Sequence, residues 1–322
     1  MVTPAPPGSQ AGNRVTAGRW ADIFRGLGHL VTVLTEYRDE DCELLVALHA
    51  VKSAPSVERF AARCPGRPVV VAITGTDIHL DPSAEQYDRL QAVARRTAAA
   101  ADRVVFLREP APLELGWLLD EEVWPKYRVI YQSAEPPAVR RESLAGVFEV
   151  CVLGHLRPVK DPFRAAEAAR LLPSESRVRV LHIGATLTTE MEDQARREQA
   201  ENPRYRWYGE LPRDEAMTLL SGCRLLAMTS VSEGGPSAVS EALACGVPVV
   251  STRISGVVGL LGDEYPGYFP IGDTLELARL FWRCETTPAF YAALAAWCDG
   301  RRHLIEPGRE AGSWRLLLGE LS

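Results

Sequence analysis

Glu233 and Glu241 flank a glycine pair in the stretch SEGGPSAVSEALACGVPVV, which begins at Ser232. Gly234 and Gly235 would let a backbone approach a ligand closely, and Pro236 suits the first turn of a helix. The amides of Ser237, Ala238 and Val239 are then expected to point outward from a helix N-terminus, a natural seat for phosphate. Glu241 falls four residues after Ser237, on the same helix face. A carboxylate is a poor neighbour for phosphate, but it accepts two hydrogen bonds from a vicinal diol well. The pattern suits a ligand with phosphates in its middle and hydroxyl-rich sugars at both ends, as in a nucleotide sugar. The plainer reading, two solvated glutamates, holds for most glutamates. The glycine pair, the strand before it and CGVPVV after it make that the minority reading here.

Four further segments could do chemistry. In VLGHLRPVKDP, from Val152 to Pro162, Arg157 and Lys160 follow a strand's carboxyl end, where two cations can neutralise a leaving diphosphate without a metal. Taken alone this would read as a solvated basic loop, and His155 reads equally well as structural. In TPAPPGSQAGNRVTAGRW, Gly8 and Gly12 flank a polar turn, and Asn13, Arg14 and Thr16 enter a helix. The spaced GxGxxG pattern of dinucleotide binders is absent. ALHAVKS supplies His49 and Lys52; ITGTDIH supplies Thr74, Gly75 and Thr76. With Arg14 these could make a pocket for a small anionic acceptor, although a histidine such as His49 is as often structural as functional.

The elements that must position these residues alternate in type. Apolar strand-like runs (LVTVLTE from Leu30, CELLVALHA, RPVVVAITG, DRVVFL, YRVIYQ) are separated by amphipathic helical segments. Their near-continuous apolar character predicts parallel sheets covered on both faces, an α/β doubly wound architecture. After the linker-like SAEPPAVRRESLAG the alternation restarts with FEVCVLG, RVRVLHIG, RYRWYGE, RLLAMTS and VPVVST. Two Rossmann-like domains are expected, residues 1–138 and 147–300, joined by 139–146 and followed by a helical tail, 301–322. Only Met1–Thr3 precede PAPPG, so the first strand is expected to be short or its start to be missing.

Composition narrows the classes. The chain has 322 residues, 46% hydrophobic and 24% charged, as in folded soluble domains. A net charge of -6 argues against broad binding to nucleic acid, and no apolar run is long enough for a membrane helix. The seven cysteines are scattered without a CxxC pair, so a reducing cytoplasm is expected, with neither zinc site nor disulfide framework.

These residues resemble a family. SEGGPSAVSEALACGVPVVST is similar to the E-x7-E segment of family 4 glycosyltransferases with the GT-B fold, and RWADIFRGLGHLVTVLTE to their opening helix–strand unit. The resemblance implies that Glu233 holds donor-sugar hydroxyls and Glu241 the nucleotide ribose. It also implies Arg157 and Lys160 on the diphosphate, and uracil against the backbone near Gly209, Glu210 and Leu211. A narrower likeness runs through VTPAPPGSQAGNRVTAGRWA, LLVALHAVKSA, VVVAITGTDI, VIYQSAE and VLGHLRPVKDP, which resemble the selenosugar synthases of selenoneine biosynthesis. It implies a UDP-sugar donor (UDP-N-acetylglucosamine or UDP-glucose) and selenophosphate as acceptor, with release of UDP and phosphate. No metal or cofactor is expected, and a downstream enzyme of that pathway is the implied protein partner. Selenophosphate, already anionic, needs cations to position it more than a general base. The active site is expected in a cleft between the domains. Open alternatives are a conventional transferase with an alcohol or thiol acceptor, a nucleotide-sugar epimerase or hydrolase, and a non-catalytic nucleotide-sugar-binding protein.

Overall fold

In a computed structural model, which describes residues 1–9, 12–75, 87–109, 118 and 121–321, the chain divides into two units. The first comprises Met1–Gln132, Glu233–Gly235 and Pro307–Ser322; the second comprises Ser133–Ser232 and Pro236–Glu306. Residues 133–138, which the sequence pattern groups with the first half, thus fall in the second unit.

In the first unit β1 (Leu45–Leu48), β2 (Val69–Ile73), β3 (Arg103–Phe106) and β4 (Tyr127–Val129) pair in parallel and in chain order. Every residue of β1 and β2 is buried, because successive side chains feed two different cores. Leu45, Ala47, Val69, Val71 and Ile73 join one cluster with Val57 and Phe60 of α2 (Ala54–Arg63) and with Ala94 and Ala98 of α3 (Tyr87–Ala100). Val46, Leu48, Val70 and Ala72 join the other, with Ala17, Trp20 and Phe24 of α1 (Gly12–Gly26).

Residues 1–3 extend this sheet. The Val2 amide donates to the Val46 carbonyl at 2.8 Å, and the Leu48 amide donates to the Val2 carbonyl at 3.0 Å. On the other side the Thr3 amide reaches the Leu34 carbonyl at 2.9 Å. The strand expected from Leu30 is reduced to a single parallel bridge at Leu34. The strand order turns back at Val2, and the loop leaving it leads into α1, the position in such sheets where ligands bind.

The second unit holds six parallel strands in the order β10-β9-β8-β5-β6-β7. They are β5 (Phe148–Leu153), β6 (Val178–Ile183), β7 (Tyr205–Trp207), β8 (Leu225–Met228), β9 (Val249–Thr252) and β10 (Tyr268–Phe269). The two-residue β10 carries no sequence signal of its own. Helices α4 (Arg164–Arg170), α5 (Thr189–Glu201), α6 (Arg213–Ser221), α7 (Ser237–Cys245), α8 (Ser255–Leu261), α9 (Thr274–Thr286) and α10 (Pro288–Arg301) cover them. Here the order turns back at β5, which lies between β8 and β6.

The final helix, α11 (Pro307–Gly319), packs in the first unit. Trp314 stands edge-on to Trp20 and Phe24 at ring separations of 4.6 and 4.9 Å. The buried Glu310 carboxylate accepts from Trp20 Nε1 at 2.7 Å and from Arg19 Nε at 2.9 Å. Residues 307–322 of the segment read as a tail therefore pack against α1. Among the described residues no helix is long and apolar enough to cross a membrane, and no group of His, Cys, Asp or Glu could hold a metal ion.

Candidate functional site

At the carboxyl edge of the second unit's sheet, three adjacent strands run out into glycines: Gly154, Gly184 and Gly209. The Gly154 amide donates to the Ile183 carbonyl at 2.9 Å, and the Gly184 amide to the Gly209 carbonyl at 2.8 Å. A Cβ on Gly184 would stand 2.0 Å from the Gly154 carbonyl oxygen, so the strand ends approach more closely than a side chain permits. His182 locks this edge. It is fully buried, with Nε2 at 3.1 Å from the Gly154 carbonyl oxygen and Nδ1 at 2.9 Å from the Tyr205 hydroxyl. Burial pushes its pKa down to about 4, only partly opposed by the Gly154 bond. The ring is neutral, and because a carbonyl only accepts, its proton sits on Nε2.

From Gly154 the chain enters a single 3-10 turn, Pro158–Lys160. The end of β8 holds that turn. The Thr229 hydroxyl lies 2.9 and 3.0 Å from the Lys160 and Asp161 carbonyls, and the Val231 amide donates to Val159 at 2.8 Å. Among the described residues the buried Nε of Arg157 has no hydrogen-bond partner. A buried guanidinium N–H lacking an acceptor is costly, and an anionic ligand would remove the cost. His155 registers the local charge: its pKa is lowered by burial first, then by Arg157, with Lys160 adding and Glu210 opposing. Arg157, Lys160 and Glu210 therefore share one neighbourhood. His155 itself is structural at Nδ1, which accepts the Ala185 amide at 3.0 Å.

Helix α7 begins after Pro236 with no side-chain cap. The expectation for its first amides needs one correction. The Val239 amide already donates to the Pro236 carbonyl at 2.9 Å, so Ser237 and Ala238 are the amides left to meet an anion. Glu241 is the one residue between Ala238 and Cys245 that is not fully buried, and its side chain is still only 12% exposed. It is ion-paired with Nη1 of Arg213, the first residue of α6, at 2.5 Å. The sequence pattern alone does not mark Arg213 as a site residue. The signal available was its place directly after GELP, in the segment that carries Gly209, Glu210 and Leu211.

The first unit holds the remaining candidates. Gly12, Asn13 and Arg14 open α1, and the buried Nη1 of Arg14 has no hydrogen-bond partner among the described residues. Thr16 is buried, with its Oγ1 accepting from Gln132 Nε2 at 2.5 Å. His49 is buried with a left-handed φ of 75°, and its Nδ1 accepts the Lys52 amide at 3.2 Å. That nitrogen is thus occupied by structure, and the strained backbone is the kind found at functional turns. The Lys52 side chain is exposed. Thr74 and Gly75 follow the end of β2, whereas Thr76 lies outside the described residues.

The glycine pair has a second reason to be glycine. A Cβ on Gly234 would lie 2.2 Å from Gly75 Cα, and one on Gly235 would lie 2.9 Å from the Leu107 side chain and 3.0 Å from Gln132 Oε1. Close approach to protein already requires both residues, independently of a ligand. Glu233 is half-buried at the start of this segment.

Residues 140–274 match the family model described as glycosyl transferases group 1. Among solved structures, HepE of Anabaena in complex with UDP and glucose is 20% identical, with 86% of this chain and 78% of that chain covered and a TM-score of 0.70. The trehalose-6-phosphate synthase OtsA is 15% identical over 96% of this chain and 75% of that chain, with a TM-score of 0.68. TarM of S. aureus, in complex with fondaparinux, alpha-GlcNAc-glycerol and UDP, is 15% identical over 85% of this chain and 55% of that chain, with a TM-score of 0.64. The matched segment holds the glycine edge, the basic turn and the helix of Glu241. Residues 140–274 are thus similar to the glycosyl transferases group 1, within a chain that has the α/β GT-B fold.

Proposed function

We propose that the protein is a glycosyltransferase that takes a sugar from a UDP-sugar and transfers it to selenophosphate, forming a carbon–selenium bond at the anomeric carbon. The observation that carries the donor half is Arg157, whose Nε is buried without a partner beside Lys160 and the glycine edge. In this reading Arg157 and Lys160 hold the diphosphate, together with the amides of Ser237 and Ala238. The Glu241 carboxylate takes the ribose hydroxyls, Glu233 takes hydroxyls of the transferred sugar, and the Gly209–Leu211 backbone meets uracil. HepE, of the same fold, binds UDP and glucose, which supports UDP as the nucleotide.

The acceptor half rests on the sequence resemblance together with Arg14, a second cation whose buried Nη1 has no partner among the described residues, at the N-terminus of α1. Gly12, Asn13, Thr16, His49, Lys52, Thr74, Gly75 and Thr76 complete that assignment. Selenium attacks the anomeric carbon, the bond from that carbon to the diphosphate oxygen breaks, and the electron pair leaves with UDP. Water then cleaves the phosphorus–selenium bond, giving the selenosugar and phosphate. The chain's main contribution is charge fixed in advance where the leaving group develops it, plus positioning of an already anionic nucleophile.

The test is release of UDP and phosphate from UDP-glucose and UDP-N-acetylglucosamine, with selenophosphate compared against alcohols, thiols and water. Equal amounts of UDP and phosphate, appearing with selenophosphate alone, are expected. UDP release with an alcohol or thiol and none with selenophosphate would replace the acceptor and leave the donor reading standing.

A further inference from the structure

Glu241 is a mostly buried carboxylate on a helix whose neighbouring residues are apolar or small. Such a group keeps its charge only when a cation or several donors compensate its lost hydration. The structure supplies a cation from outside the helix: Arg213 Nη1, at 2.5 Å from Oε1. The guanidinium is 47% exposed, so it retains much of its own hydration while reaching a desolvated partner. Arg213 also has a second connection. It opens α6 directly after Pro212, so it is continuous with the Gly209–Leu211 segment.

We infer that Arg213 is a positioning residue: through its ion pair it holds the Glu241 carboxylate oriented toward the ribose and fixes the base-side loop relative to α7. The inference rests on the reading of Glu241 given above. Removing Arg213 takes away the ion pair that orients the carboxylate, so the acceptor it presents to the ribose hydroxyls is misplaced. Contacts to the base and diphosphate are not made through this pair and persist.

The discriminating experiment is calorimetric titration of UDP and 2′-deoxy-UDP into the wild-type protein and into Arg213→Ala and Arg213→Lys. Wild-type protein is expected to prefer UDP by roughly tenfold, the scale of a hydrogen bond to a charged group. Arg213→Ala should lose most of that preference while binding 2′-deoxy-UDP nearly as well as wild type, and Arg213→Lys should restore it in part. If Arg213→Ala loses its helical circular dichroism, Arg213→Gln replaces it in the same comparison. A variant that binds UDP with the wild-type preference intact overturns the role of Arg213 and leaves that of Glu241 standing. A wild-type protein that binds both nucleotides equally overturns the ribose role of Glu241, and that of Arg213 with it.

Discussion

Gly184 faces the carbonyl oxygen of Gly154 so closely that a Cβ would stand 2.0 Å from it. The obstacle is backbone, which cannot swing aside as a side chain can. Gly184→Ala must therefore push apart the ends of β5 and β6, the edge from which the basic turn departs. A destabilisation of about 1–3 kcal/mol is expected, the usual cost of overpacking. UDP affinity should fall as well, because Gly154 leads directly to Arg157. Denaturant midpoints and calorimetric UDP titration of the variant check both parts.

His182 gives the same edge a dependence on pH. Its folded pKa of about 4 lies below the ordinary value of 6.5, with burial as the main cause. The unfolded chain therefore binds the proton more readily, and stability falls as pH drops below the unfolded pKa. The loss accumulates from about pH 6.5 down to the folded pKa and amounts to at most about 3 kcal/mol. His182→Gln removes this titration, so its urea midpoint should change less than the wild-type midpoint between pH 7 and pH 5. Parallel midpoints in the two proteins would reject the assignment.

Glu310 holds α11 to α1 through Arg19 and the indole of Trp20. Its carboxylate is fully buried, so Glu310→Ala leaves the Trp20 N–H without that acceptor and Arg19 without its ion-pair partner. A loss of roughly 3 kcal/mol is expected, the scale for breaking a buried charged network from one side. Urea unfolding should show it, with a change in tryptophan fluorescence because Trp20 and Trp314 are in contact.

Much of this architecture is legible in the sequence, for a physical reason. Strands buried on both faces must be apolar throughout, and runs such as RPVVVAITG and FEVCVLG state that directly. The basic turn and the glutamate helix are also legible, because each combines a strand end with residue types suited to anions or diols. What escapes is non-local. Nothing near Glu310 in sequence indicates that it meets Trp20, and nothing near Arg213 names Glu241 as its partner. Leu30–Glu36 reads as a strand by composition, yet in the structure it contributes a single bridge, Leu34 with Val2. The glycine pair shows the same limit differently. The sequence marks a close approach, but only coordinates reveal Gly75, Leu107 and Gln132 as what is approached.

Replacing Arg157 and Lys160 together tests the proposed chemistry most directly. A leaving diphosphate gains charge as its bond to the anomeric carbon breaks, so cations fixed beside it stabilise the transition state more than the bound substrate. Arg157 is fixed by its place between Leu156 and the 3-10 turn, and the turn is held by the Thr229 bonds to the Lys160 and Asp161 carbonyls. Those bonds use backbone carbonyls and survive side-chain truncation, so Arg157→Ala/Lys160→Ala should fold with a melting temperature near wild type. Removing the buried Arg157 N–H even relieves one unpartnered donor. Turnover should nevertheless fall by about 100-fold or more, the scale for losing preorganised charge at a developing anion. Steady-state UDP release across a range of UDP-sugar concentrations separates the two effects. A fall concentrated in kcat supports leaving-group stabilisation, a change confined to KM reduces the pair to ground-state binding, and unchanged UDP release removes it from the mechanism.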